Sequence, residues 1–257
     1  MGALSSCFVV LIIAMLVADL LFTSFADFKA AILKPEIRFA FTLTVASCTA
    51  AAILSLLVAT PLGYVLSRYR FPGRGIIDVL VDIPIVLPPL VIGLSLLILF
   101  HFPINGWTLE NWLRDDVGFG VTYRWPAVVL AQFSVACAFA VRTMRVTFDQ
   151  IDPRGEDVAR TLGCSRAQAF WIVALPQASR GMIAAATVAW ARSLGEFGPI
   201  LVFAGATRMR TEVLSTTVFL ELSAGELSAA VAVSLIMVAI AGVVLVLLRL
   251  LNGGPAA

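Results

Sequence analysis

The chain has 257 residues, of which 60% are hydrophobic and 13% charged, with a mean hydropathy of +0.99. Soluble domains carry roughly 25% charged residues, so this balance excludes an ordinary water-soluble globule and points to a polytopic membrane protein. Eighteen Lys+Arg against sixteen Asp+Glu leave a net charge of +2, too even for a nucleic-acid surface. The four cysteines, Cys7, Cys48, Cys137 and Cys164, show no CxxC spacing and read as small buried residues, not a metal site. His101, the only histidine, falls where an apolar run meets a loop and reads as incidental.

Residues 7–26 form the first apolar run. A secretory signal would need a basic segment ahead of it, and the first cation is Lys29, so the run reads as a retained membrane helix. Asp19 interrupts it, placed near the interface or paired inside a bundle. Residues 39–66 are long enough for a tilted crossing, and their stretch TVASCTAAA supplies the small residues that close packing in lipid uses. Pro61 and Gly63 loosen its end, and SRYRFPGRG then makes a basic turn of the kind found on the inner side of membranes. The third run, residues 79–100, carries Pro84, Pro88 and Pro89. Each removes a helix hydrogen bond and clashes with the preceding turn, so the run is kinked or partly unwound. Lipid tolerates that only where protein or water covers the backbone.

Residues 101–123 read as an external loop with Trp107 and Trp112 at headgroup depth. The fourth run covers 124–148, the fifth 181–204 and the sixth 227–248, with Arg249 closing the last. Between the last two, Val213, Leu214, Val218 and Leu222 recur at helical spacing and predict a short interfacial helix. Six crossings with both termini inside place ten Lys/Arg on inner segments and seven on outer ones, leaving Arg192 within the membrane. The fold class is therefore all-α, a single six-span helix bundle with an inner loop over 149–180. The only two lysines, Lys29 and Lys34, lie in no Gly-rich loop, so the chain carries no phosphate-binding loop of its own.

Two stretches carry the function. Residues 154–180 are too polar to cross a membrane. Asp152 can cap a helix beginning at Pro153, with Glu156 and Asp157 in its first turn, and Gly163 can end it. Ser165 can cap a second short helix that Pro176 stops. The second stretch is ARSLGEFG, residues 191–198. With the fifth helix starting near Gly181, Arg192 lies about 16 Å along it, near the middle of a core about 30 Å thick. Charge there is costly unless paired or wetted, and Glu196, four residues on, shares its face. The pair reads either as an internal tie fixing helix packing or as a gate touching substrate. Gly195, Gly198 and Pro199 loosen the helix beside it, and guanidinium with free backbone N–H groups suits a tetrahedral oxyanion.

The polar hairpin is similar to the EAA signature of binding-protein-dependent ABC importer permeases. Asp157, Val158 and Ala159 stand at the Glu-Ala-Ala places, Gly163 at the glycine, and Val173, Leu175 and Pro176 at the Ile-x-Leu-Pro end. Asp for Glu and Val for the first Ala depart from the pattern. More narrowly, residues 190–205 and the stretch DIPIVLPPLVIGL at 82–94 resemble molybdate, tungstate and sulfate permeases. The resemblance implies a type I importer permease fold in the cell inner membrane. It implies that 153–176 form the coupling helices, with Glu156 beside the motif residues. It further implies a pathway or gate of Arg192, Ser193, Gly195, Glu196, Phe197, Gly198, Asp82, Pro88 and Pro89. Implied partners are a cytoplasmic ABC ATPase dimer binding ATP and Mg, a second permease copy, and a periplasmic or lipid-anchored oxyanion-binding protein. No cofactor is expected in this chain, no enzymatic activity and no nucleic acid. Molybdate or tungstate is the expected cargo, with sulfate or thiosulfate the alternative. A secondary transporter coupling ions through Asp19 and Glu196 is the rival class; a membrane enzyme would need an acid or histidine cluster at one interface.

Overall fold

The computed structural model describes residues 2–104 and 106–252. The side chain of Arg249 and the tail beyond Asn252 lie outside the described residues. In chain order come α1 (Gly2–Phe22), α2 (Phe25–Leu33), α3 (Pro35–Arg68), α4 (Arg74–Val86), α5 (Pro89–His101), α6 (Leu109–Asp115) and α7 (Trp125–Gln150). They are followed by α8 (Arg154–Thr161), α9 (Arg166–Ala169), a π turn over Phe170–Ala174, and α10 (Leu175–Gln177). The chain ends with α11 (Ser179–Leu194), α12 (Gly198–Phe203), α13 (Leu214–Ser223) and α14 (Leu227–Asn252).

The centre is α3 packed along α7, with α11 against both and α14 behind α11. Small residues make this approach possible: Cys48, Ala52, Ala59, Ala136, Ala140, Ala185 and Ala189 are all buried in one cluster with Met144 and Phe148. A Cβ on Gly63 would come within 2.8 Å of Met144 Cβ and 2.9 Å of the Arg145 nitrogen, so α3 and α7 touch backbone to backbone there. A second cluster at the far end joins Phe100, Val128, Ile200, Phe203 and Val213. α1 packs against α14 and otherwise presents an apolar surface.

Of the described helices, α3, α7 and α14 are individually long and apolar enough to span a bilayer. The third expected span is two helices, α4 and α5, meeting at 114°. The break falls at Leu87–Pro88, where Pro89 starts α5 in the position that tolerates proline, while Pro84 is accommodated inside α4. The stretch expected as the fifth span is also broken, at Gly195–Phe197, so 181–204 is α11 plus the short α12. Pro176 does not stop its helix. The π turn ahead of it shifts the hydrogen-bond register, the Leu175 N–H reaching the Phe170 carbonyl, and the chain bends by 72° only at Ala178. The loop 101–123 contains α6, whose Glu110 is buried and accepts hydrogen bonds from the Val121 and Thr122 N–H groups. The helix predicted around 213–222 is present as α13, but its inward face is mixed. Leu214, Thr216, Thr217 and Glu221 are buried while Leu222 is exposed, so it is packed into the bundle. Cys48 is buried, Cys137 and Cys164 are half-buried, and Cys7 is exposed.

Candidate functional site

The polar hairpin is built by local rules. Asp152 Oδ1 accepts from the Arg154 N–H at 3.0 Å, and Pro153 occupies the N-cap position of α8. The helix closes with the Cys164 N–H on the Ala159 carbonyl and the Gly163 N–H on the Arg160 carbonyl, Gly163 standing at φ +97°. That paired pattern needs a left-handed residue, which glycine supplies without a Cβ penalty. Ser165 and Gln168 exchange side-chain and backbone bonds in a full capping box at the head of α9.

The two adjacent acids of α8 point in opposite directions. Glu156 is buried, with Tyr64 Oη donating to one carboxylate oxygen at 2.5 Å and Arg68 Nε to the other at 2.9 Å. Asp157 is exposed and meets Arg160 at 3.4 Å, a surface pair of little energetic consequence. Ala159, Val173 and Leu175 are half-buried, while Gly163 and Pro176 lie on the surface. The hairpin also displays Val158, Leu162, Trp171 and Ile172, with Leu162 81% and Trp171 65% exposed. Large apolar side chains so exposed on an otherwise polar element mark an interaction surface.

Around the break in the fifth span, Arg192 Nη1 lies 2.6 Å from Glu196 Oε1. The Glu196 side chain is 1% exposed and that of Arg192 32%, with the guanidinium over the Phe139 ring at 5.6 Å. The pair is therefore anchored on its acidic side and open on its basic side. Ser193 is buried, its hydroxyl returning to the Ala189 carbonyl at 2.9 Å and its carbonyl accepting from Gln132 Nε2 at 3.3 Å, so its side chain faces the packed interior. The Glu196 carbonyl accepts from Ser215 at 2.7 Å, which ties the break to α13. Phe197 leans on Phe219 at 5.3 Å, and Gly195 is exposed.

The two broken spans are pinned to each other. A Cβ on Gly198 would meet the Leu90 nitrogen at 3.0 Å and Pro89 at 3.2 Å, and one on Gly93 would meet Pro199 Cα at 2.8 Å. So α5 begins against α12, with the exposed Pro89 at the contact and the exposed Pro88 just ahead of it. Asp82 is not part of this contact. It pairs with Arg142 at 3.2 Å, while Asp78 pairs with Arg145 at 2.6 Å, so both acids of α4, no residue of which is fully buried, face α7, and Ile77 and Val81 pack against the core.

Residues that a sequence reading does not single out also belong to the arrangement. Tyr64 and Arg68 hold the hairpin, and at the far end Glu221 is buried between Lys34 at 3.3 Å and Arg208 at 3.0 Å. Beside it Glu212 is fully buried, one oxygen taken by the Thr217 hydroxyl at 3.0 Å. Burial pushes the Glu212 carboxyl above its ordinary value. No local pattern announces any of these, because acids and cations in loops ordinarily read as solvated.

The described residues form a helical bundle with bent, broken apolar helices and a polar hairpin that displays large apolar side chains. Residues 59–254 match the model of the family described as binding-protein-dependent transport system inner membrane component, and the chain belongs to that family. Membership makes it the membrane component of a transporter and not an enzyme. It is 34% identical over 234 residues to the sulfate transport system permease protein CysT of Escherichia coli (strain K12), covering 91% of this chain and 83% of that one. It is 34% identical over 232 residues to the molybdenum transport system permease protein ModB of Mycobacterium bovis, covering 89% and 85%. Among solved structures it resembles a bacterial alginate ABC transporter in complex with a pentasaccharide-bound periplasmic protein. The TM-score is 0.68 at 18% identity, over 88% of this chain and 82% of that one, a likeness of fold.

Proposed function

We propose that this chain is the membrane-spanning half of an ATP-driven importer for a tetrahedral oxyanion dianion, the chemistry shared by sulfate and molybdate. It works as a pair with a second copy of itself, both termini on the cytoplasmic side. α1, α3, the broken pair α4–α5, α7, the broken pair α11–α12, and α14 supply six crossings. A pair of cytoplasmic ATPases binding Mg and ATP seats against the hairpin, and an external receptor delivers the anion. The observation that carries the reading is the hairpin's exposed apolar face, on the segment that leads by a bend at Ala178 into α11 and its half-open Arg192–Glu196 pair.

Closure of the ATPases displaces the hairpins, and the bundle reopens on the other side. Arg192 presents a guanidinium along the route, already paired with Glu196 at 2.6 Å. Such a site attracts an anion weakly and releases it readily, which a pathway requires once the receptor supplies selectivity. Relatives named for sulfate and for molybdenum transport both support the oxyanion class. The test is uptake of labelled sulfate and of molybdate into proteoliposomes holding the permease, its ATPase and its receptor. Uptake should require ATP and vanish in Gly163→Asp. Uptake that persists without the ATPase and follows the proton gradient would refute the reading in favour of a secondary transporter.

A further inference from the structure

The hairpin is continuous with α7 through Ile151, an extended residue at φ −86° and ψ 126°, and with α11 through the 72° bend at Ala178. Element-terminal residues of this kind are where hinges absorb motion. A displacement applied to α8 would be dissipated there unless something else held the hairpin to the bundle.

Side chains of α3 do so. Tyr64, Ser67 and Arg68 stand at i, i+3 and i+4 and so share one face of its last turns. Tyr64 Oη and Arg68 Nε each take one oxygen of Glu156, at 2.5 and 2.9 Å, leaving that carboxylate fully engaged and its side chain 9% exposed. Arg68 Nη2 donates in addition to the Ile151 carbonyl at 2.9 Å, so a single guanidinium bridges the hinge residue and the first turn of α8. Ser67 donates to Asp149 Oδ1 at 2.6 Å, joining the end of α3 to the end of α7. The Tyr64 ring packs against both Phe148 of α7 at 5.3 Å and Phe170 of the hairpin at 4.6 Å, and those two rings lie 6.4 Å apart, closing a three-ring cluster.

We infer that Tyr64, Arg68 and Glu156 form a clamp that makes the hairpin move as one body with α3, and that this clamp carries the ATPase stroke into the membrane helices. The inference rests on the hairpin being the ATPase seat, as proposed above. The chemistry suits the task. Charge-assisted bonds with little exposure are short and stiff, and the fork of an arginine can hold two acceptors at once where a lysine offers one point charge. α3 then passes the movement on, because it packs along α7 and also along α11, which carries Arg192. Glu156 and Asp157 thus divide the labour of one helical turn, the first gripping the bundle and the second facing outward.

The experiment uses the complete transporter in proteoliposomes, with oxyanion uptake and ATP hydrolysis measured in the same vesicles and ATPase retention by co-purification. Arg68→Gln removes the fork. Tyr64→Phe keeps the ring against Phe148 and Phe170 and removes only the hydroxyl, so it serves even where Arg68→Gln accumulates poorly. Uptake per ATP hydrolysed should fall about tenfold in Arg68→Gln and by a smaller factor in Tyr64→Phe. Arg68→Lys, which keeps the charge but lacks the planar fork that reaches both Glu156 and the Ile151 carbonyl, should fall between the two, and the ATPase should co-purify with all three. Uptake per ATP unchanged in both Arg68→Gln and Tyr64→Phe overturns the clamp, as does a loss of uptake and hydrolysis in strict proportion. The underlying reading fails by a different result: an ATPase still bound after Leu162→Asp would remove the seat itself, and the clamp with it.

Discussion

The contact between the two broken spans gives a prediction whose size can be worked from the geometry. In Gly93→Ala the new methyl would sit 2.8 Å from Pro199 Cα, 3.0 Å from the Pro199 carbonyl oxygen and 3.1 Å from Val202 Cβ. Carbon atoms pack at about 3.5–4.0 Å, so α5 and α12 must separate by roughly 0.7 Å or more. Two of the three atoms are backbone at the head of α12 and cannot rotate away. Forced overpacking of this kind costs about 1–3 kcal/mol. For a chain of this length that lowers the melting temperature by roughly 2–4 °C per kcal/mol. The assay is the thermal unfolding of the detergent-purified permease beside uptake by the reconstituted transporter. Gly242→Ala is the control, since its Cβ meets nothing within 4 Å and alanine is the better helix former. Gly93→Ala should melt several degrees lower and transport poorly, with the ATPase still bound. A variant that melts with the parent and transports at the parent rate would refute the close approach of the two breaks.

Arg192→Ala should leave Glu196 as a buried carboxylate without its cation, a loss of about 3–5 kcal/mol where a buried pair is broken and less here because Arg192 is partly wetted. Adding Glu196→Gln should restore thermal stability but not uptake; restoration of both would reduce the pair to packing. Leu162→Asp should change stability by no more than about 0.5 kcal/mol, since the side chain is 81% exposed, yet release the ATPase on co-purification. Glu212 has a native carboxyl raised above its unfolded value, so its contribution to stability is complete below the ordinary carboxylate range and is lost as pH rises through the raised value. Glu212→Gln should flatten that decline, read as melting temperature against pH; an unchanged slope would reject the assignment.

Much of the hairpin was legible in the sequence because its devices are local. Asp152, Gly163 and Ser165 act on partners within a few residues, and the structure shows each bond, with Gln168 completing the Ser165 cap. The pairing of Arg192 with Glu196 was legible for the same reason, four residues along a helix. Pro176 misled because a π turn upstream removes the conflict its missing N–H would create. The prolines of the third run announced a break but not which of them makes it; the structure breaks the run at Leu87–Pro88, where Pro89 packs against α12.

Composition and periodicity alone therefore determined that this chain is a helical membrane bundle interrupted by one polar hairpin, because hydrophobic burial in lipid and helix capping are read from neighbouring residues. Tertiary structure decided which acid of the hairpin grips the bundle, where the two broken spans meet, and that Glu212 and Glu221 lie inside. Each of these joins residues far apart in the chain. Tyr64 reaches Glu156 and Gly93 meets Pro199 only once α3, α7 and α11 have packed closely enough to bring those atoms together, and no local propensity encodes that distance.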